Sequence, residues 1–249
     1  MDTGIIQSSI DSCLEFESVD TSKIINVFIL DTKDRCKDDI DYYRSFLNVD
    51  ELEKSKRFGF EEDKISYIAS HALLRFVLSR YLNQAPRTLE FIIGKFGKPD
   101  LHPRHNSSLK FNLSHTQGLV GCAVVLSGKL IGFDVDKKDE KFLDIIERFS
   151  KDEIHRLNNL NRKNKIKFTS KLWSLKESYL KAIGVGLTWP LNSFSVKYIK
   201  NEFHIFTHSQ KLHPNLKWKL YSLDIDEYVC AIAVQKSNSP YQLNVVKCS

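Results

Sequence analysis

Several features are missing from this sequence, and each absence removes a class of protein. No apolar run approaches the roughly 18 residues that a membrane-crossing helix needs, so no membrane span is expected. Residues 1–16 carry acids and no basic leader, which argues against a secretory signal. The five cysteines (Cys13, Cys36, Cys122, Cys230, Cys248) are odd in number, scattered, and form no Cys-x-x-Cys pair. That pattern argues against structural zinc or a disulfide scaffold and for a reducing, cytoplasmic setting. No Walker A sequence occurs, which argues against a P-loop ATPase. Ser114-His115 has no Gly-x-Ser-x-Gly elbow around it, and adjacent residues of an extended segment point in opposite directions. A serine hydrolase is therefore not expected. Gly184-Val-Gly186 ends a helix and lacks a third glycine, so it is no dinucleotide fingerprint.

What is present is enough apolar residue, 42% of 249, to bury the core of one large domain or two modest ones. The formal charge of +6 favours acidic partners, whether nucleic acid, a phosphorylated cofactor or an acidic protein. The nucleic-acid reading finds no recognised module, and the aromatics fall at core spacing rather than among the basic clusters.

Along the chain, residues 1–22 have no clear period and read as a leader. Residues 23–30 are apolar and β-branched, a first strand, and 31–41 read as a charged connection. A helix opens at Asp50, with acids first and bases last as the helix dipole prefers. Residues 62–82 have helical spacing, 89–93 read as a strand, and Gly94-Lys-Phe-Gly-Lys-Pro99 as a turn. Two strands, 109–113 and 118–126, are expected around a turn holding Ser114 and His115, with another strand at 129–136. A helix over 142–149 and one opening at Lys151 begin a second copy of this order. Offset by 101, Asp63-Lys-Ile-Ser-Tyr67 faces Asn164-Lys-Ile-Lys-Phe168, and Arg75 faces Lys176. Offset by 109, Leu119-Val-Gly-Cys-Ala-Val-Val125 faces Tyr228-Val-Cys-Ala-Ile-Ala-Val234. The shared order predicts two similar halves, 23–129 and 130–249, meeting near 127–131 with a ligand site between them.

The chemistry concentrates in two stretches. In Ile131-Gly-Phe-Asp-Val-Asp136, strand alternation puts Asp134 and Asp136 on one side. In Trp173-Ser-Leu-Lys-Glu-Ser-Tyr-Leu-Lys-Ala-Ile-Gly-Val-Gly-Leu187, about 100° per residue gathers Leu172, Leu175, Tyr179 and Ile183 on an apolar face. Glu177 and Lys181 point away from it. Alone, each piece has an ordinary reading: a wet strand end, or a surface ion pair of about a few tenths of a kcal/mol. Together, two acids from a strand and one from a helix, beside a lysine, suit a divalent cation handling phosphate.

Phe96-Gly-Lys-Pro99, Phe111-Asn-Leu-Ser-His115 and these two stretches, in this order, resemble the motifs of Sfp-type 4′-phosphopantetheinyl transferases of the holo-[acyl-carrier-protein] synthase superfamily. The resemblance runs over residues 50–195 and more faintly to 235. It implies an α+β, sandwich-like fold of two pseudo-symmetric halves in one chain, with coenzyme A in the cleft between them and Mg2+ on its diphosphate. By motif position Asp134, Asp136 and Glu177 would be the metal ligands. Ser114 and His115 would sit by the coenzyme's phosphates, Lys98 would line the nucleotide pocket, and Lys54 and Arg57 would reach the 3′-phosphate. Lys181 would meet the diphosphate. The implied reaction is attack by a serine of an apo acyl or peptidyl carrier protein on the pantetheine-side phosphorus, releasing adenosine 3′,5′-bisphosphate. Glu177 is the candidate base and Lys181 the stabiliser of the leaving group. A monomer should suffice, because one chain carries both halves. The second strand acid is often Glu in the family, and the shorter Asp136 leaves direct and water-mediated ligation both open. Glu51 falls where relatives carry another lysine. The alternative is a catalytically silent relative that binds coenzyme A or a carrier protein.

Overall fold

The protein, seen as a computed structural model, is described over residues 5–8, 23–33, 35–208 and 216–248. It divides into two units. One comprises Met1–Gly94, Pro99–Gly128 and Ser239–Ser249, the other Lys95–Lys98 and Lys129–Asn238.

In the first unit the β-branched stretch forms β2 (Ile24–Asp31), buried at all but its end residues. It lies between β6 (Leu119–Val125), antiparallel, and β12 (Gln242–Cys248), parallel. Beyond β6 runs β5 (Lys110–Thr116), and beyond β12 runs β1 (Ile5–Ser8). Three helices follow β2: α1 (Lys37–Arg44), α2 (Val49–Ser55) and α3 (Glu61–Leu82). A short hairpin of β3 (Phe91–Ile93) and β4 (Pro99–Leu101) precedes β5. Ile68, Leu73 and Leu74 of α3 share one core with Phe28, Leu30, Val120 and Cys122 of the sheet.

The second unit is a wholly antiparallel sheet with β7 (Ile131–Lys137) at its edge. After it come β11 (Tyr228–Gln235), β10 (Trp218–Ile225), β9 (Glu202–Thr207) and β8 (Phe194–Ile199). A 3-10 run over Glu140–Arg148 and α4 (Lys151–Asn158) lead into α5 (Arg162–Ile183). Leu175 and Tyr179 of α5 pack with Leu220, Ala231 and Ala233 of the sheet. Asn161 caps the start of α5 by accepting from Asn164 N–H, and Gly184, at φ 72°, takes the left-handed conformation that ends it. Among the described residues no helix is long and apolar enough to cross a membrane.

The two units share one element order: strand, short helical run, short helix, long helix, two hairpins. Helices α3 and α5 are each 22 residues and stand 101 positions apart, the offset read from the sequence. A buried charge pair is repeated with them. Asn48 and Glu51 form a capping box at the start of α2, and Glu51 Oε2 also accepts from Arg75 Nε of α3 at 2.6 Å. Ser150 and Glu153 form the same box on α4, and Glu153 Oε2 lies 2.9 Å from Lys176 Nζ of α5. Arg75 further donates to the carbonyls of Pro86 and Leu89, and Lys176 to those of Leu191 and Phe194. Each cation thereby ties the short helix, the long helix and the chain entering the next strand. Burial pulls the Lys176 ammonium down to about 8, with Glu153 opposing the fall.

The structure differs from the sequence expectations at several places. Residues 31–41, expected as a connection, lead into α1, which has Asp38 and Asp39 in its first turn and Arg44 in its last. The run at 142–149 is 3-10 rather than α-helical, closed by tight bonds such as Phe142 N–H to Asp139 O. Ser114 and His115 lie within β5 and not in a turn. The reversal is made three residues after His115, at Gly118, whose φ of 81° suits glycine. The second half does not run unbroken to residue 249, because β12 pairs with β2 in the first unit. Of the leader at 1–22 the structure describes only the backbone of β1; residues 1–4 and 9–22 lie outside the described residues.

Lys176→Ala should show how much the repeated pair matters. It leaves Glu153 buried without its cation, so urea unfolding should register a loss of about 3–5 kcal/mol. Glu153→Gln combined with Lys176→Met should lose much less.

Candidate active site

Alternation along β7 puts Gly132, Asp134 and Asp136 on the face turned to α5. At Gly132 the helix backbone lies directly on the strand. A Cβ there would stand 1.9 Å from the Ser178 carbonyl oxygen and 2.4 Å from Ala182 N, so only glycine permits this approach. One stripe of α5, at i, i+4 and i+8, then runs beside the strand acids in the opposite direction. Lys181 Nζ donates to Asp134 Oδ1 at 2.7 Å. Trp173 Nε1–H donates to Asp136 Oδ2 at 3.2 Å. Glu177 stands between them and feels both acids. Lys98 closes the far end, donating to the Ile131 carbonyl at 2.9 Å and the Ala182 carbonyl at 3.2 Å, so it straps the start of β7 to the end of α5.

The electrostatics follow from this crowding. Burial, then the Asp134 charge, pushes the Glu177 carboxyl up to about 7 against the pull of Lys181. Burial works to lower the Lys181 ammonium, but Asp134 and Glu177 outweigh it and hold the group above its ordinary value. Asp134 is 2% exposed. Three acids held together with one lysine make a site short of positive charge, and this adds to burial in raising Glu177.

The same positions in the first unit carry no such chemistry. By strand register and the helix offset, Gly132 and Ala182 correspond to Asn26 and Tyr81, which are joined by a hydrogen bond of 2.8 Å from Asn26 Nδ2 to the Tyr81 hydroxyl. Asp134 corresponds to Phe28 and Glu177 to Phe76, both core residues. A side-chain spacer in one unit and glycine in the other separate an apolar core from a polar site on the same frame.

The other expected site residues belong to the first unit. Lys54 is exposed on α2 with its ammonium 5.3 Å from the centre of the Tyr67 ring, and Arg57 is exposed just beyond that helix. Ser114 is buried and His115 exposed at successive positions of β5. Glu51, expected at a position where relatives carry lysine, instead accepts from Arg75 and lies 3.1 Å from His71 Nδ1. The Asn48-x-x-Glu51 spacing signals its place in the capping box of α2, and its ion partners are distant in the sequence. Sequence reading also missed Trp173 as the partner of Asp136; its i+4 spacing from Glu177 was the clue.

Among the described residues no three Asp, Glu, His or Cys side chains enclose a metal position by themselves. The acids form an open set on one strand and one helix. That suits magnesium, which takes one or two carboxylates and fills its remaining positions with water and phosphate oxygens.

Comparison with known proteins identifies the family. Residues 130–233 match the model of the 4′-phosphopantetheinyl transferase superfamily, and residues 34–127 match that of the 4′-phosphopantetheinyl transferase N-terminal region. The 4′-phosphopantetheinyl transferase Sfp of Bacillus subtilis is 30% identical over 208 residues, covering 82% of this chain and 89% of the relative. HetI of a Nostoc species is 33% identical over 193 residues, covering 76% and 78%. Among solved structures, a holo-(acyl-carrier-protein) synthase from Bacillus anthracis in complex with CoA (3′,5′-ADP) aligns at 20% identity with a TM-score of 0.38, over 44% of this chain and 98% of its own. With both family models matched in order and relatives at this identity over most of its length, the chain belongs to the 4′-phosphopantetheinyl transferase superfamily.

Proposed function

We propose that this chain transfers the 4′-phosphopantetheine group of coenzyme A to a serine hydroxyl of an apo carrier protein and releases adenosine 3′,5′-bisphosphate. The observation that carries the reading is the acid and lysine cluster gathered where α5 lies on Gly132. In the reaction a bond forms between the serine oxygen and the pantetheine-side phosphorus, and the bond from that phosphorus to the bridging diphosphate oxygen breaks. The serine proton must be taken up and the leaving phosphate's charge offset. Glu177 is the proposed proton acceptor; burial and Asp134 push its carboxyl up to about 7 in the metal-free protein, and a bound cation would draw it down from there. Lys181, kept charged by Asp134, donates to the diphosphate oxygens.

Asp134, Asp136 and Glu177 would hold Mg2+, which supplies charge to offset that developing on the diphosphate. Lys54, Arg57, Ser114 and His115 are proposed contacts of the coenzyme's phosphates, and Lys98 a contact of its nucleotide. The assignment of Lys98 has the added interest that its ammonium also straps β7 to α5. The net charge of +6 suits an acidic carrier protein. A single chain carries both matched family regions, which supports a monomer. Five scattered cysteines with no Cys-x-x-Cys pair support a reducing, cytoplasmic setting.

Two measurements follow. Intact mass of an apo acyl carrier protein incubated with the chain, coenzyme A and Mg2+ should rise by one phosphopantetheinyl group. Glu177→Gln should slow that gain by about 10²–10⁴-fold. No mass change on acyl, peptidyl and aryl carrier proteins would sink the transferase reading. The second concerns pH. The Glu177 carboxyl binds its proton more tightly folded (about 7) than in its ordinary state (4.5), so the native state holds the extra proton between these values. Without divalent metal, its contribution to stability is full below pH 4.5 and lost as pH rises to about 7. Urea midpoints across that range should show the slope, and Glu177→Gln should remove it.

A further inference from the structure

Two polar groups of the second unit are buried with nothing bonded to them. The Tyr179 hydroxyl and the Trp218 indole N–H have no hydrogen-bond partner, on side chains that are 0% and 8% exposed. Such groups are rare in folded proteins, because each gives up its bond to water and gains none in return. The two rings meet edge to face with centroids 5.2 Å apart, which brings both groups into one neighbourhood. Burial pushes the Tyr179 hydroxyl up to about 12, so at neutral pH it keeps a proton to donate. The indole N–H can only donate. Both residues line a cavity of about 300 Å³ that opens where the sheet parts. Strands β9 and β10 are bridged at Phe203 and Leu220 and, among the described residues, nowhere else. Continued antiparallel, that register would set Ile205 against Trp218 and Thr207 against Leu216; these four line the cavity instead. The rest of the lining is basic: His204, Lys217 and Lys236. Among the described residues no acid is ion-paired with either lysine. Glu202, the carboxylate that feels Lys236 and His204, is itself bonded to Lys219.

We infer that this cavity is a binding site for a small oxyanion, phosphate or carboxylate, separate from the acid cluster at Gly132. The Tyr179 O–H and the Trp218 N–H bond its oxygens, and Lys217 and Lys236 offset its charge. A cation would be repelled by the lysines, and an apolar ligand would leave both buried donors unbonded. An oxyanion answers both features, since it accepts hydrogen bonds and carries the opposite charge. Tyr179 follows Glu177 by two residues on α5, about 200° around the helix, so the two sites lie on different sides of it. The inference does not rest on the transferase reading.

The test follows the indole N–H signals of the full chain by nuclear magnetic resonance, one from each of its three tryptophans. On titration with inorganic phosphate the Trp218 signal should move and saturate. Combining Lys217→Ala with Lys236→Ala, both on exposed side chains, should weaken that response about tenfold or more, and Tyr179→Phe should weaken it as well. Trp173, bonded to Asp136, reports separately on phosphate near the acid cluster and should respond alike in the parent and the variants. Acetate in a parallel titration identifies the ligand. Movement of Trp218 with phosphate alone assigns the cavity to phosphate, with acetate alone to a carboxylate, and with both to oxyanions in general. A Trp218 signal that stays still in both titrations overturns the inference. So does movement that chloride reproduces at equal ionic strength, or that keeps its parental affinity in the double lysine variant or in Tyr179→Phe.

Discussion

The site depends on one contact, in which the backbone of α5 rests on the backbone of β7 at Gly132. Any side chain there would push the helix outward. With glycine, the stripe of Trp173, Glu177 and Lys181 comes within hydrogen-bonding and electrostatic reach of Asp134 and Asp136. The cluster is therefore a consequence of the packing distance between helix and strand as much as of the residue types. Lys98 secures the same junction from the other end by bonding to the Ile131 and Ala182 carbonyls.

The comparison within the chain makes the same point. Both units use a buried cation on the long helix, Arg75 or Lys176, gripped by the capping-box glutamate of the short helix before it. A partner lost from such a pair leaves a buried charge, so the frame is sensitive to either residue. On this common frame the first unit places Phe28 and Phe76, joined to its core, where the second places Asp134 and Glu177. One copy uses the interface of helix and strand for burial alone. The other gives up apolar contact there and keeps acids whose mutual repulsion a cation can relieve.

Much of this was legible in the sequence because it depends on local periodicity. The alternation of Asp134 and Asp136, the i, i+4 spacing of Glu177 and Lys181, and the stop at Gly184 all reflect short-range geometry. The 101-residue offset between the long helices was legible for the same reason. What was not legible depends on pairing between distant segments. Nothing near residue 242 announces that β12 joins β2, since strand partners are chosen by tertiary packing. Ser114 and His115 have the polarity of turn residues, and only the pairing of β5 with β6 puts them in a strand. Glu51 looked like a lost basic contact, and only Arg75 and His71, at 24 and 20 residues' distance, explain it.

Close approach at Gly132 assembles the cluster of Asp134, Asp136, Glu177 and Lys181. The most direct measurement is the rate of phosphopantetheine transfer by Gly132→Ala, made on protein whose far-ultraviolet circular dichroism matches the parent. A loss of about a hundredfold or more is expected, since displacement of reacting groups by about 1 Å has that effect. A folded Gly132→Ala variant that transfers at the parental rate would contradict it.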